Sequence, residues 1–338
     1  TLAMKRVTIK DIAEHLTLSV STVSRALIDD KNIRKETKEK VLETARQLGY
    51  KPNPVATNLK YGRTNTVGVI VPEMITPFAS QVIEGIQKVL YPKGLKVIIA
   101  QSGENPETEL ENLLMMERFM VDGIIICLSH HTQNREEYIR LQAEGTPMVF
   151  YDRIPDGLDV SKVVVDDYLK SFFMVEHLIR IGRKRIAHLQ APPYIYNSIE
   201  RTRGYKDALE KLKIPFEPAL VIKTGMTIGD GREAAAQLLK AGTPFDAIFA
   251  FTDTLAIGAM NYLQEQHIKI PEEIAVASFS GTILSTIVTP QLTTVEQPLV
   301  EMGESAAQLM LEKINNPEAP NRTITLDAEI KLRASTEE

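Results

Sequence analysis

Hydroxyl and basic side chains are grouped close to the amino terminus of the chain. Five of them lie among apolar residues that recur at helical spacing: Ser19, Ser21, Thr22, Ser24 and Arg25. On one short helix, hydroxyls and a guanidinium can donate hydrogen bonds to phosphate oxygens and to base edges. The same pattern also suits a small helical bundle whose polar side chains are merely solvated. These residues alone therefore leave both interpretations open.

Three short helices are predicted to position these side chains. Thr8 and Asp11 form a capping-box pattern that begins a helix over 9–16. After a tight turn at 17–19, Ser19 can cap a second helix that runs from 20 to about 27 and buries Val23 and Leu27. A third helix, over about 35–48, ends at Gly49. Its predicted buried face consists of Val41, Leu42, Ala45 and Leu48. Two short helices joined by a three-residue turn match helix-turn-helix geometry, in which the second helix enters the major groove.

The segment that follows, 51–64, contains Pro52 at a possible helix start and then enough residues for about two helical turns. A helix this short is unstable alone in water. One interpretation is a hinge that folds on DNA and inserts Leu59 into the minor groove. The other is a plain linker with a partly covered leucine.

Charge is distributed unevenly along the chain. Residues 1–62 carry 12 Lys and Arg against 7 Asp and Glu, whereas the whole chain has a net charge of −5. A basic head on an acidic body is expected where only one part of a protein must approach phosphates.

The remaining sequence, 65–338, alternates apolar strands with helices, which predicts a parallel sheet covered on both faces. The pattern divides into two halves built alike, and a second series of strands opens at 163–165. Ligands bind at the carboxyl ends of strands in such folds, so we expect a cleft there. The predicted domains are a helix-turn-helix domain at 4–50, a hinge or linker at 51–64, and a ligand-binding α/β domain at 65–338.

Motifs for other functions are missing from the sequence. It contains neither a G-x-G-x-x-G after the first strand, nor a P-loop, nor a G-x-S-x-G elbow, and His130 and His131 lack zinc spacing. The single Cys127 lies in an apolar run and is expected to be an inert buried thiol. We therefore expect no enzyme activity, no cofactor and no metal. No apolar run is long enough to cross a bilayer and no signal peptide precedes residue 10, so we expect no membrane partner and a cytoplasmic location.

The chain resembles the lactose-repressor (LacI/GalR-type) family of bacterial transcription regulators in three segments near its amino terminus: Val7–Leu27, Leu48–Tyr50 and Pro52–Ala56. The resemblance continues in the body, for example at Tyr151-Asp152-Arg153 and Thr252-Asp253, and covers about 7–333. It implies a helix-turn-helix head joined by a hinge helix to an α/β body of two Rossmann-like subdomains, like a periplasmic binding protein. The implied subdomains are about 65–161 with 298–320, and about 162–292 with 321–338, with three crossings of the chain between them.

The resemblance also implies the residues of two sites. Val20, Ser21 and Arg25 would contact base edges, and Ser19, Thr22 and Tyr50 would lie near phosphates. Leu59 from two protomers would separate a central base step. The full DNA-contacting set is Thr8, Ser19, Val20, Ser21, Thr22, Arg25, Tyr50, Asn53, Val55, Ala56 and Leu59. The implied effector-binding set is Phe78, Asp152, Asn197, Arg201, Phe249, Thr252, Ser280 and Gln297.

Several of these residues have a plainer interpretation. Phe249 could be simple core, and Arg201 could pair with a nearby carboxylate. Asp253 fits the first residue of a helix better than a ligand contact, and Asp166 and Asp167 fit helix capping.

Three positions depart from the family pattern. Thr17 occupies a turn position where the family often has Gly or Asn, so some backbone strain is expected. Ser280 stands where many relatives have an acidic residue, and Thr252 where Asn is common. The loss of a negative charge at Ser280 favours an acidic or phosphorylated sugar, with Arg201 as its counter-charge.

The sequence thus predicts a homodimer that binds a pseudo-palindromic, double-stranded DNA operator and is released by a sugar or sugar-derivative inducer. There are three alternatives: a regulator that requires a co-repressor, a solute-binding protein for sugar uptake, and a sugar-processing enzyme. The segment 333–338 has no leucine heptads, from which we expect a dimer and not a coiled-coil tetramer.

Overall fold

The computed structural model describes residues 7–50, 63–129 and 133–337. The chain divides into two compact units, Thr1–Thr64 and Asn65–Glu338. We call them the head and the body and describe each by itself. Residues 51–62 of the predicted hinge and linker, with Leu59 among them, lie outside the described residues, as do His130 and His131.

Local capping interactions begin the helices of the head. The helices are α1 (Ile9–Leu16), α2 (Val20–Leu27) and α3 (Lys35–Gln47). The Asp11 carboxylate accepts hydrogen bonds from the backbone N–H of Thr8 at 2.6 Å and from its hydroxyl at 2.7 Å. The Ser19 hydroxyl accepts one from the backbone N–H of Thr22 at 3.1 Å. The three predicted helices and both predicted caps are confirmed.

The small core of the head differs in three positions from the predicted one. Its buried members are Ile12, Ala13, Val23, Ala26, Val41 and Ala45. Leu42 is exposed and Thr44 is buried instead, because Leu42 lies about 100° around the helix from Val41. Leu27 and Leu48 are only half-buried and pack against the edge of this core.

Thr17, which ends α1, has left-handed backbone angles of φ 54° and ψ 39°. A β-branched residue in this region is strained by roughly 1–3 kcal/mol. The sharp turn that it allows brings Ser19 to the start of α2 and sets the direction in which α2 leaves α1.

The body is built from two six-stranded sheets, each covered by helices. The first has the order β11-β5-β4-β3-β1-β2 and the second the order β12-β10-β9-β8-β6-β7. All neighbouring strands run parallel except β10 and β12. The strands are β1 (Thr66–Val71), β2 (Lys96–Gln101), β3 (Gly123–Ile126), β4 (Met148–Tyr151), β5 (Ser161–Val165), β6 (Ile186–Gln190), β7 (Val221–Lys223), β8 (Ala247–Ala250), β9 (Ala275–Ser280), β10 (Thr293–Glu296), β11 (Thr323–Leu326) and β12 (Glu329–Lys331).

The helices of the body alternate with these strands, and two crossings between them are close. The helices are α4 (Pro77–Leu90), α5 (Pro106–Arg118), α6 (Arg135–Ala143), α7 (Asp167–Arg180), α8 (Tyr196–Lys211), α9 (Ile228–Ala241), α10 (Asp253–Glu265), α11 (Leu284–Ile287) and α12 (Leu299–Asn315). A Cβ added to Gly303 of α12 would lie 2.0 Å from the carbonyl oxygen of Val82 in α4. One added to Gly231 of α9 would lie 2.1 Å from the carbonyl oxygen of Leu255 in α10. Both pairs thus pack with their backbones in contact.

The boundary between the two halves differs from the expected one. β5 pairs with β4, and β11 pairs with β5, so both strands belong to the first sheet. The ranges 162–292 and 321–338 therefore do not fall wholly in the second half. The chain crosses after β5, and α7 then packs against α8 of the second half. Because this crossing lies inside an ordinary strand–helix unit, the sequence pattern does not reveal it. The chain crosses again after β10 and after β11, which gives the three expected crossings.

Among the residues that the structure describes, no helix combines the length and the apolar character needed to span a bilayer.

Candidate functional sites in the two units

The second helix of the head presents a polar, exposed surface. Val20, Ser21 and Arg25 are exposed on α2, and the Arg25 guanidinium donates a hydrogen bond to the Ser21 hydroxyl at 2.9 Å. At the start of the helix, the Ser19 and Thr22 hydroxyls lie 2.8 Å apart. Positions 21 and 25 are neighbours on one side of the helix because they are four residues apart, and Val20 is exposed beside them in the first turn. This surface could reach base edges and phosphates together.

The other predicted DNA-contacting residues of the head have varied surroundings. Thr8 is exposed at the start of α1, and Tyr50 is half-buried directly after Gly49. Partial burial raises the pKa of the Tyr50 hydroxyl. Asn53, Val55, Ala56 and Leu59 lie outside the described residues.

A cavity of about 860 Å³ lies in the body, where several strands end. Tyr151 is the last residue of β4 and Ser280 the last of β9, while Phe251 and Gln297 directly follow β8 and β10. All four line the cavity, so both sheets contribute the carboxyl ends of strands to it. This is the position at which open parallel sheets bind ligands.

The cavity brings together most of the predicted effector-binding residues. Seven of them line it: Phe78, Asp152, Asn197, Arg201, Thr252, Ser280 and Gln297. Phe249 does not, because it is still inside β8 and is covered by the stacked ring of His188, with 5.3 Å between the ring centroids. Phe251, which lies beyond the strand end, is the aromatic residue that reaches the cavity from this strand. For Phe249 the core interpretation is correct.

Arg201 is held in a buried ion pair. Its Nε donates to Oδ1 of Asp167 at 2.7 Å, and its Nη1 donates to the carbonyl of Phe251 at 2.6 Å. The guanidinium also lies over the ring of Phe279, 3.7 Å from its centroid. Since Asp167 already balances its charge, Arg201 is not a free counter-charge for an anionic ligand. The expectation of an acidic or phosphorylated sugar loses its support.

Two further aspartates near the cavity serve the fold. The Asp166 carboxylate accepts a hydrogen bond from the backbone N–H of Leu169 and so caps α7. Asp253 is the first residue of α10. Its carboxylate accepts four hydrogen bonds at 2.7–3.1 Å, from the hydroxyls of Ser278 and Thr294 and from both the N–H and the hydroxyl of Thr282. The bonds to Thr282 anchor the segment after β9.

That segment holds Ser280 in an unusual conformation. Its φ of 136° lies in a region that favours glycine. Ser280 is therefore positioned at the cavity wall by the surrounding structure and not by its own preference.

The side-chain amide of Asn197 is held in place by two carboxylates. Its Nδ2 donates to Oδ2 of Asp167 at 3.0 Å and to Oδ1 of Asp152 at 3.3 Å. Two carboxylates require the amide nitrogen on this side, so the amide oxygen points away from them. Within the described part of the chain, three buried oxygens of the wall lack a protein partner: Tyr151 Oη, Asn197 Oδ1 and Gln297 Oε1.

Burial sets the protonation of the carboxyl and thiol groups beside this wall. It raises the pKa of Asp167 to about 6, with Asp152 adding to the rise and Arg201 opposing it. Burial likewise raises the pKa of Asp152 and of the Cys127 thiol, which lies 3.9 Å from Oδ2 of Asp152. A protonated, buried thiol is a poor nucleophile. No group of three or more His, Cys, Asp or Glu side chains that could hold a metal ion occurs in 7–50, 63–129 and 133–337.

Several lining residues were not selected from the sequence. Arg153 pairs with Glu104 at 2.8 Å, and the apolar side chains of Ile75, Met226, Ile228 and Leu284 surround part of the cavity. Only Arg153 lies within a sequence landmark; the others belong to loops and short helices with no distinctive pattern. Their position follows from the packing of the two halves.

Comparisons with known proteins agree with both units. Residues 8–53 match the family described as "Bacterial regulatory proteins, lacI family", and residues 175–336 match the "Periplasmic binding protein-like domain". Catabolite control protein A of Priestia megaterium is 33% identical over 334 residues, covering 98% of this chain and 99% of that protein. The HTH-type transcriptional repressor PurR of Vibrio atlanticus is 31% identical, covering 97% and 98%. A solved complex of the transcriptional regulator CelR with cellobiose has a TM-score of 0.74 and 26% identity, covering 98% of this chain and 100% of that one.

Proposed function

Because this chain belongs to the LacI family of DNA-binding transcription regulators, we propose that it represses its target genes as an operator-bound homodimer controlled by an uncharged sugar or sugar derivative. The prediction of a transcription regulator with a helix-turn-helix head and a periplasmic-binding-protein-like body is confirmed. The family consists of regulators and not of enzymes. The operator contacts, the class of effector and the sign of its effect are the proposal.

The exposed side of α2 supports the proposed operator contacts. Val20, Ser21 and Arg25 would face base edges in the major groove, while Ser19 and Thr22 at the start of the helix would lie near a phosphate. A homodimer would place two such helices on the two halves of a pseudo-palindromic operator. Phosphate contacts by the basic head make this binding fall steeply with salt concentration.

The cavity of the body supports an uncharged, hydroxyl-rich effector. Sugar hydroxyls donate hydrogen bonds, and Asp152 and Ser280, which line the cavity, carry oxygens of the kind that accept them. The C–H face of a sugar ring packs on aromatic side chains, and Phe78 and Phe251 line the same cavity. A similar protein, CelR, is seen in complex with cellobiose, which is an uncharged disaccharide.

One observation carries the proposal: polar side chains of both halves, Asp152, Ser280 and Gln297, line one cavity at the carboxyl ends of the strands, and both arginines of its lining are already paired with carboxylates. An uncharged, hydroxyl-rich ligand suits such a lining better than an anion does.

The test combines operator selection with a ligand screen. An operator is first selected from random DNA with the full chain, and neutral sugars, sugar acids and sugar phosphates are screened by thermal shift. Stabilising compounds are then added to the operator complex, which is followed by fluorescence anisotropy at one stated salt concentration. We expect a neutral sugar or glycoside to raise the melting temperature and release the operator. Tighter operator binding would instead identify a co-repressor.

Two variants separate the sites. Arg25→Ala should lose operator binding by tenfold or more and keep its response in the thermal shift assay. Asn197→Ala should bind the operator and lose its response to the effector. If no neutral sugar stabilises the chain, or if stabilising sugars leave operator binding unchanged, the proposed effector class is wrong.

A further inference from the structure

One segment of the cavity wall has a backbone that its own residues do not favour. It follows β9, and three of its residues, Ser280, Thr282 and Leu284, line the cavity. Ser280 and Gly281 have positive φ angles, of 136° and 71°. A serine keeps such an angle only where the surrounding structure enforces it. We call residues 280–287, up to the end of α11, the wall segment; its contacts must supply the restraint.

The first residues of the wall segment are held within the second half. The Asp253 carboxylate accepts hydrogen bonds from both the N–H and the hydroxyl of Thr282. A Cβ added to Gly281 would lie 2.2 Å from the Cα of Glu296, so the turn lies directly against the end of β10. These contacts fix residues 280–282 and leave α11 to be held by other groups.

The α11 end of the wall segment is held by Arg333, which follows β12. Its Nη1 donates hydrogen bonds to the hydroxyl of Ser285 at 3.2 Å and to the carbonyl of Leu292 at 2.9 Å. Its Nη2 donates to Oε2 of Glu296 at 2.9 Å. The Arg333 side chain is only 13% exposed, so water has limited access to the guanidinium. One side chain thus joins α11, the loop before β10 and the end of β10 against which Gly281 lies.

The backbone that carries Arg333 is itself fixed to two strands. The Arg333 N–H donates to the Thr293 hydroxyl at 2.8 Å. The buried hydroxyl of Ser335 donates to the carbonyl of Val276 in β9 at 2.6 Å and accepts from the N–H of Thr293 in β10 at 2.8 Å. The hydroxyls of Thr336 and Thr293 lie 2.6 Å apart. Because β9 and β10 both hold this backbone, Arg333 has a firm base from which to hold α11.

We propose that Arg333 is a positioning residue of the effector cavity: it does not line the cavity, but it holds the wall segment so that Ser280 and Thr282 are presented to the ligand. The consequence for the ligand rests on the proposed function, whereas the restraint on the wall segment does not. The planar fork of a guanidinium serves three acceptors in fixed directions, and the single ammonium of a lysine serves them less well.

Hydrogen–deuterium exchange of the full chain tests the restraint without any ligand. Arg333→Met removes the donors and keeps a long side chain, and Arg333→Lys keeps the charge. Arg322→Met is the matched control, because Arg322 pairs with Glu312 of α12 and not with the wall segment. In Arg333→Met, peptides covering 282–288 should exchange at least tenfold faster than in the parent chain, while peptides of β8 keep their rates. Arg333→Lys should be intermediate, and Arg322→Met should match the parent.

A milder variant covers the case in which Arg333→Met does not fold. Glu296→Gln keeps an acceptor and the contact with Gly281 but removes the charge that Arg333 pairs with. We expect exchange in 282–288 to become about threefold faster in this variant, again without a change in β8.

Calorimetric titration measures the consequence for a ligand. Cellobiose, glucose, galactose and ribose are titrated into the parent chain and the variants. For each sugar that binds the parent, Arg333→Met should bind at least fivefold more weakly and Arg333→Lys should recover part of the loss. Arg322→Met should bind like the parent.

The outcomes separate this proposal from the one on which it rests. Unchanged exchange in 282–288, or the same increase there and in β8, would overturn the positioning role, because the second result is that of a general loss of stability. Faster exchange in 282–288 with unchanged sugar affinity would overturn its consequence for the ligand. If none of the four sugars binds the parent chain, the result counts against the proposed effector, and the exchange rates still decide the role of Arg333.

Discussion

Arg201 and Asp167 show that the partner of a charged side chain determines what that side chain can do. Arg201 lies in the cavity wall as the family resemblance implies, but Asp167 holds its Nε at 2.7 Å and both side chains are buried. In surroundings of low dielectric constant, such a pair presents little net charge to a ligand. The selectivity of the cavity therefore depends on a residue that does not line it.

Replacing this partner should change the charge preference of the cavity. Asp167→Asn leaves Arg201 positively charged without a balancing carboxylate. We expect the affinity for a sugar acid such as galacturonate to increase by about tenfold, or about 1.4 kcal/mol, in calorimetric titrations. Asp166→Asn is the control, since Asp166 caps α7 and does not contact Arg201. Similar gains in both variants would show that general charge, and not the freed arginine, is responsible.

The raised pKa of the Asp167 carboxyl makes the stability of the chain depend on pH. Asp167 titrates at about 6 in the folded chain and near 3.9 when unfolded. Between these values the folded state binds a proton that the unfolded state does not, so the contribution of Asp167 to stability increases as pH falls. The measurement is urea unfolding of the parent chain and of Asp167→Asn at pH 7 and at pH 5. Lowering the pH from 7 to 5 should raise the unfolding free energy of the parent, relative to that of Asp167→Asn, by about 1 kcal/mol. A difference that is independent of pH would contradict the raised pKa.

At the scale of elements, two helices whose first residues line the cavity, α9 and α10, pack with their backbones in direct contact. Helices α9 and α10 make this contact at Gly231, where the absence of a side chain lets the carbonyl of Leu255 lie against the backbone of α9. Residues at the starts of these two helices, Ile228 and Asp253, line the cavity. The distance between the two helices therefore sets the width of one wall.

Two glycines of α9 provide a matched pair of substitutions. Gly231→Ala should lower the unfolding free energy by about 1–3 kcal/mol, because its Cβ would overlap the Leu255 carbonyl. Gly229→Ala, two residues away in the same helix, would place its Cβ at 3.6 Å from the nearest atom, the Thr227 hydroxyl. We expect this variant to gain about 0.5–1 kcal/mol from higher helix propensity. Urea unfolding measures both, and equal effects would show that the close crossing is not important for stability.

At the scale of the whole molecule, the head and the body carry different sites on one chain. If an effector in the cavity changes operator affinity, thermodynamics requires the operator to change effector affinity by the same factor. Typical couplings of this kind correspond to changes of about 5- to 150-fold.

The reciprocal effect can be measured directly. Effector titrations with and without saturating operator should differ by the factor by which the effector weakens operator binding. In Arg25→Ala, the same concentration of operator DNA should change the effector affinity by less, because a smaller fraction of that variant is bound to the operator. An effector affinity that is insensitive to the operator in the parent chain would contradict control through the cavity.

Much of this protein can be predicted from the sequence because the interactions concerned are local. The capping groups Thr8 and Ser19 lie three residues from their partners, and apolar residues at helical spacing specify α1 and α2 whatever the rest of the chain does. The long apolar runs of the body likewise indicate buried strands. The family resemblance places seven of eight predicted effector residues in the cavity wall, although it does not test their binding.

Only the tertiary structure decided the features that join distant parts of the chain. β5 belongs to the first sheet because it pairs with β4, and periodicity contains no information about which sheet a strand joins. Phe251 and not Phe249 reaches the cavity because the strand ends between them. The pairing of Arg201 with Asp167, and the meeting of Ile75 and Ile228 in one cavity wall, bring together residues far apart in sequence. Such contacts depend on how complete elements pack, so the charge and polarity of the site are set by packing and not by local pattern.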